Sequence, residues 1–216
     1  MDQAERQWLK QRAMNVLGHE LRTPTSTVRG LAEALAANAE PAKRDEMLAA
    51  LVRNARRLET LVDDLLTATD IATALPVGPS EEVDVVAEFV AQWGEEPGLF
   101  VEGGGVAIAR RASVTRIVGA IIDNARVYGE RPVTVSVDQT DQVYARIASP
   151  GAVLPDTDIR FALEPFWRGE RAVTTAPGLG IGLTVAATLA THERGRLWVE
   201  ALAGGGVTTV LELPAK

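Results

Sequence analysis

Two hydrophobic periods divide this chain. In the first third, Leu17, Leu21, Val28, Leu31 and Leu35 recur at steps of three, four or their sums, the repeat of one helix face. A turn signal covers 38–41, after which Leu48, Leu51, Ala55, Leu58, Val62 and Leu65 resume the repeat, with Leu61 and Leu66 widening it. The pattern predicts a helical hairpin over 2–74 whose second helix starts near Pro41. Two helices alone cannot cover so wide a stripe. The economical partner is a second copy, giving a homodimeric four-helix bundle, and the alternative is packing against the rest of the chain. Pro24 lacks an amide donor and is expected to bend the first helix.

Beyond Pro76, Gly78 and Pro79 the period changes to that of an α/β segment. A short strand at 83–86 is expected to run into a helix through Trp93, and 100–101 with 106–109 to form a hairpin across Gly103, Gly104 and Gly105. A helix over 113–127 carries Ile117, Val118, Ile121, Ile122 and Ala125 on its apolar side and stops at Gly129. Alternating strands at 133–137 and 143–148, a helix at 179–191 and strands at 196–201 and 207–213 complete the pattern. Three helices on a mostly antiparallel sheet make an α+β two-layer sandwich. The stretch 149–177 is too long for an ordinary connector and is expected to be a functional loop or lid.

At 216 residues the chain has room for two domains, read here as 1–75 and 76–216. There is no cysteine, hence no disulfide framework or thiolate metal site, which fits a reducing cytoplasm. Two distant histidines do not make a structural zinc site. The net charge of −7 argues against a nucleic-acid partner, and Arg53, Arg56 and Arg57 read as a solvated face or a partner contact. No run approaches the roughly 20 apolar residues of a membrane span, so the chain as given is expected to be soluble. Arg6, Trp8, Lys10 and Arg12 already stand in helical register with no capping signal before them, so the chain is also expected to be part of something longer.

Four places carry candidate chemistry. His19 opens the run His19-Glu20-Leu21-Arg22-Thr23-Pro24 on the first helix. It is either a solvated polar position or a nucleophile with an acid beside it at Glu20 and a hydroxyl one turn on at Thr23. Gly178-Leu179-Gly180-Ile181-Gly182 opens a helix, where free amides and the helix dipole suit polyphosphate; tight turns alone would also explain such glycines. Asn124 offers a neutral amide oxygen to a magnesium ion, or is a satisfied polar group near the helix end, and Tyr128 lies one turn further on. Phe166, Trp167 and Arg168 suggest an aromatic latch and a cationic arm on the long loop, although aromatic burial alone would account for the first two.

In this order the blocks resemble the sensor histidine kinases of two-component signalling over essentially the whole chain. Residues 19–24 look like the H box of the dimerisation and phosphoacceptor domain, Asp123-Asn124-Ala125 like the N box, 164–169 like the F box and 178–182 like the second glycine box. The resemblance implies a Bergerat-type ATP-binding sandwich, with ATP and Mg2+ as cofactors. It implies His19 as phosphoacceptor, Glu20 as the base orienting its imidazole and Thr23 as the group placing water for phosphatase work. Asn124 would be the magnesium ligand, Tyr128, Gly178, Gly180 and Gly182 would line the phosphates, and Arg168 would be a lid contact. The implied partners are an identical protomer and the receiver domain of a response regulator. The implied setting is the cytoplasmic side of a sensor anchored in the membrane upstream.

The chain departs from the pattern at Ala120, at Val127 and across Ser149-Pro150-Gly151-Ala152-Val153, which stands where the family has Asp-x-Gly-x-Gly. There Ser149 replaces the aspartate that the family places on the adenine amino group, with Gly151 beside it. A buried charge-assisted hydrogen bond contributes on the order of 1.5–3 kcal/mol, so its loss is expected to weaken nucleotide affinity by roughly ten- to a hundredfold. The same departures motivate an alternative, a degenerate module that docks a response regulator or dimerises without binding ATP.

Overall fold

The computed structural model describes residues 3–37, 41–68, 75–167 and 179–216; for 3–17, 19, 41, 42, 64, 67 and 68 the description stops at the backbone. Helices α1 (Gln3–Ala36) and α2 (Pro41–Ala68) form the hairpin that the leucine repeat predicts and pack against each other. Pro24 lies inside α1, its ring buried. Around it two hydroxyls bond back onto the helix: Thr25 Oγ1 donates to the Leu21 carbonyl (2.6 Å) and Thr27 Oγ1 to the Thr23 carbonyl (3.0 Å). Such back-bonding competes with the amide ladder where proline has already interrupted it. On α2, Leu48, Val52 and Val62 are each more than two-fifths exposed in the single chain.

The second unit runs β1 (Glu81–Asp84), α3 (Val85–Trp93), β2 (Leu99–Gly103), β3 (Val106–Ala109), α4 (Arg111–Tyr128), β4 (Val133–Gln139), β5 (Gln142–Pro150), α5 (Asp156–Arg160), α6 (Gly182–His192), β6 (Arg196–Ala201) and β7 (Gly206–Pro214). Five strands form one sheet in the order β2-β4-β5-β7-β6, and β1 pairs with β3 in a small second sheet. Alternation decides which face is covered: Val133, Val135 and Val137 on β4 and Val143, Ala145 and Ile147 on β5 are buried. They share one core with Phe89 on α3, Ile117, Val118 and Ile121 on α4, and Val185 and Leu189 on α6. Asp84 caps α3 by accepting from the Ala87 amide (2.9 Å), and Trp93 at its far end sits under the Arg126 and Arg131 guanidiniums.

One expectation fails. Residues 100–101 and 106–109 do not form a hairpin: β2 runs parallel to β4 with Phe100 opposite Thr134, while β3 runs antiparallel to β1 with Ala107 opposite Val83. At Gly103, φ is 81° and a side chain would collide with the Val137 carbonyl, which already accepts from the Gly104 amide (2.9 Å). The glycine run is therefore a crossing point between two sheets, because a distant parallel partner covers β2 better than its neighbour in sequence. The long loop is also more ordered than expected at its start, with β5 reaching Pro150 and α5 following; the part at 168–178 lies outside the described residues.

Helices α4 and α6 lie against each other over the sheet. At one end of the pair the buried Glu193 carboxylate accepts from the Arg110 amide (3.0 Å), the Arg110 guanidinium (2.8 Å) and the Ser113 hydroxyl (2.7 Å). Arg110 supplies no side-chain cap to α4, so this carboxylate from beyond α6 serves the start of α4, where the helix dipole favours negative charge. Burial pushes the Glu193 carboxyl up, but the bonds from Ser113 and Arg110 outweigh it and hold the group below its ordinary range. A depressed carboxylate stabilises the fold fully above its unfolded pKa, about 4.3, and that stabilisation disappears as pH falls through the folded value. Glu193→Gln should lower stability at pH 7 by about 2 kcal/mol in urea unfolding. The gap between parent and variant should close below about pH 4; a gap constant down to pH 3 would contradict this account.

Candidate functional site

The helix pair runs antiparallel: with Glu193 at the start of α4, the opposite end brings Gly182, the first residue of α6, to the Ala120 stretch of α4. A Cβ built on Gly182 would touch Ala120 Cβ at 3.9 Å. Asn124 stands one turn beyond Ala120. Its half-buried side chain makes no hydrogen bond to protein among the described residues. Tyr128, 44% exposed, follows on the same helix. Asn124 and Tyr128 thus stand on the part of α4 that runs past Gly182, the first residue of α6.

The segment before α6 is tied to that helix start. The Phe166 amide donates to the Gly180 carbonyl (3.0 Å) and Thr184 Oγ1 to the Leu163 carbonyl (2.9 Å), while the Phe161 and Trp167 rings lie 4.9 Å apart. Gly180 (φ 69°) and Phe166 (φ 66°) both take left-handed backbone, natural for glycine and strained for phenylalanine. Ile181, Gly182, Leu183 and Thr184 carry the free amides of a helix N-terminus, a place suited to an anionic group, and Gly180 directly precedes them. Arg168 and Gly178, the other two residues expected there, lie outside the described residues.

Ser149 closes the far side. It continues the inward face of Val143, Ala145 and Ile147, yet it is polar, 5% exposed and without a hydrogen-bond partner for its hydroxyl among the described residues. A Cβ on Gly129 would come within 3.1 Å of Ser149 Cβ, and the Glu130 amide donates to the Pro150 carbonyl (2.6 Å), so β5 ends directly beneath the end of α4. Gly151 sits against the Tyr128 carbonyl.

The floor under 149–153 comes from residues that the motif reading passed over. Gly204, Gly205 and Gly206 all have positive φ, and side chains on the last two would collide with the carbonyls of Gly151 and Ser149. The Gly206 amide donates to the Ala152 carbonyl (3.1 Å). The signal was in the sequence: three glycines between two alternating strands leave no side chain to hold the backbones apart. Glu193 was missed because its partners lie 80 and 83 residues earlier.

On the hairpin, His19 is placed in α1 by its backbone, and its side chain lies outside the described ones. Glu20 is largely covered and meets Arg57 of α2 at 3.4 Å, so one member of the expected basic patch faces the H-box segment across the hairpin. Thr23 is exposed one turn beyond His19. Helix α2 also touches α6, the helix that Gly182 opens.

Residues 9–73 match the His Kinase A (phospho-acceptor) domain, and residues 109–216, half of the chain, match the histidine kinase-, DNA gyrase B-, and HSP90-like ATPase model. Among relatives, the signal transduction histidine-protein kinase AfsQ2 of Streptomyces coelicolor is 28% identical over 233 residues, covering 99% of this chain and 43% of that protein. Sensor histidine kinase WalK of Bacillus subtilis is 26% identical over 241 residues, covering 100% and 38%. The signal transduction histidine-protein kinase/phosphatase MprB of Mycolicibacterium smegmatis is 30% identical over 220 residues, covering 94% and 44%. The chain spans about two-fifths of the length of these relatives. The solved histidine kinase AdeS of Acinetobacter baumannii shares the fold at a TM-score of 0.62 and 20% identity, over 92% of this chain and 98% of that one. Full-length ShkA in complex with AMPPNP does so at 0.64 and 21%, over 95% and 46%. The chain belongs to the histidine kinase-, DNA gyrase B-, and HSP90-like ATPase family, with a segment that matches the His Kinase A (phospho-acceptor) domain ahead of it.

Proposed function

We propose that the chain takes the γ-phosphoryl group of ATP onto His19 and passes it to an aspartate of a response-regulator receiver domain. The observation that supports this reading is the placement of the Asn124 amide, unbonded to protein among the described residues, on the stretch of α4 that runs past Gly182 at the start of α6, with Ser149 packed against Gly129 at the far end of the same helix. The relatives' names support the reaction class, and the name of the mycobacterial relative adds phosphatase activity. Gly178 and Arg168 are assigned, by position in the motif, to the phosphates and the lid.

In the transfer, one ring nitrogen of His19 forms a bond to the γ-phosphorus as the bond to the bridging oxygen breaks and ADP leaves. Glu20 takes the proton from the other ring nitrogen. The amides at the start of α6 hold the charged oxygens in a fixed frame, and positioning supplies most of the catalysis. Among the described residues no cluster of three or more acidic or histidine side chains stands ready for a metal. Among the described residues the Asn124 oxygen is the group that would hold a magnesium ion carried in with the nucleotide phosphates. Bound, it would neutralise phosphate charge. Thr23, exposed beside His19, is assigned the water used in dephosphorylating the partner.

The exposed Leu48, Val52 and Val62 of α2 favour a second copy of the hairpin, completing a four-helix bundle. We read 1–75 as this dimerisation domain and 76–216 as the ATP-binding domain. We place the chain on the cytoplasmic side, below a sensor region supplied by the remaining length of a protein such as its relatives.

His19→Gln should abolish the acid-labile, alkali-stable label acquired from γ-labelled ATP with magnesium while leaving nucleotide binding by calorimetry within about twofold; retained label removes the assignment. Thr23→Ala should slow loss of phosphate from the partner at least tenfold with autophosphorylation intact, and an unchanged rate would reject its role. Val62→Asp should move the protein from dimer to monomer in sedimentation equilibrium, whereas a monomeric parent would refute the bundle.

A further inference from the structure

We infer that the base end of this nucleotide site accepts guanine as well as adenine, making the protein a kinase that uses purine nucleoside triphosphates, with Ser149 as the residue that sets the choice. The inference rests on the nucleotide reading above and adds the substrate class. Five residues of helix separate Asn124 from Gly129, about 7–8 Å of axial rise. A ligand laid along α4 with its phosphates beside Asn124 and Gly182 would reach with its other end toward the place where Gly129 meets Ser149 at the margin of the core. Ser149 is the one side chain there that is polar, 5% exposed and without a protein hydrogen bond among the described residues. The residue is largely covered while its hydroxyl is not closed off from solvent, so its hydrogen-bonding capacity is open to a ligand.

What such a group can discriminate follows from its protons. A carboxylate only accepts: it pairs with an exocyclic amine, as on adenine, and repels a carbonyl oxygen, as on guanine. A hydroxyl accepts from the first or donates to the second by turning one bond, so it gives up the electrostatic rejection of the wrong purine. The surroundings do not restore it. The neighbouring backbone is pinned to Gly205 and Gly206 and to the end of α4, Gly129 and Gly151 carry no side chain, and Val153 points into solvent at 80% exposure. No acidic side chain occupies 149–153.

The test is calorimetric titration of the full chain with Mg-ATP and Mg-GTP in one buffer, for the parent, Ser149→Asp and Ser149→Ala. The parent should bind the two nucleotides within about tenfold of each other. Ser149→Asp should tighten ATP and weaken GTP, widening the ratio beyond about a hundredfold. Ser149→Ala should weaken both by several-fold and leave the ratio within about threefold of the parent's. A parent that prefers ATP by more than about a hundredfold overturns the inference while leaving the kinase reading intact. An unchanged ratio in Ser149→Asp, with its melting temperature retained, does the same. Should that variant not fold, the parent ratio and Ser149→Ala decide. Failure of the parent to bind either nucleotide removes both readings.

Discussion

The antiparallel contact of α4 with α6 is the constraint on which the rest depends. It is held at one end by a carboxylate that three donors keep charged inside the protein, and at the other by residues small enough for the helices to meet. Between those points the apolar faces of both helices rest on the sheet through Ile117, Ile121, Val185 and Leu189. Because the pair is fixed at the Glu193 end, the overhang of α4 past Gly182 is fixed as well. The stretch of α4 that carries Asn124 therefore has a set position relative to the start of α6.

The site joins rigid and yielding parts. Asn124, Tyr128 and Ser149 stand on regular elements packed into the core, which suits groups that must hold a geometry. The phenylalanine in left-handed backbone, Phe166, is held by its amide bond to the Gly180 carbonyl, beside the neighbouring Phe161–Trp167 ring contact. Strain of this kind, of order 1–3 kcal/mol, persists where the surroundings impose it. On the helical side, Pro24 and the two back-bonding threonines lie directly after the H-box histidine, while Arg57 reaches across to Glu20.

Most of this was legible in order and period. The leucine repeat marked both helices of the hairpin; alternation at 133–137 and 143–148 marked two central strands and, extended by one step, the face on which Ser149 lies. The four motif blocks stood out because each has a local pattern: glycines before a helix start, or a polar side chain on an apolar helix. Relations between distant segments were not legible. The parallel pairing of β2 with β4 competes with a nearer glycine turn that looks equally good in sequence. Glu193 is an ordinary glutamate until the fold delivers it to Arg110 and Ser113. The Gly204–Gly206 run could have been flagged, but its purpose depends on 149–153 lying against it.

That glycine-on-backbone contact has an evolutionary consequence. Where two main chains touch without intervening side chains, their shape is inherited from geometry and leaves little for neighbouring substitutions to adjust. Any side chain introduced at Gly205 or Gly206 would have to displace the Gly151 or Ser149 carbonyl, so variation at this margin is confined to the side chains of 149–153 while the scaffold beneath them stays the same.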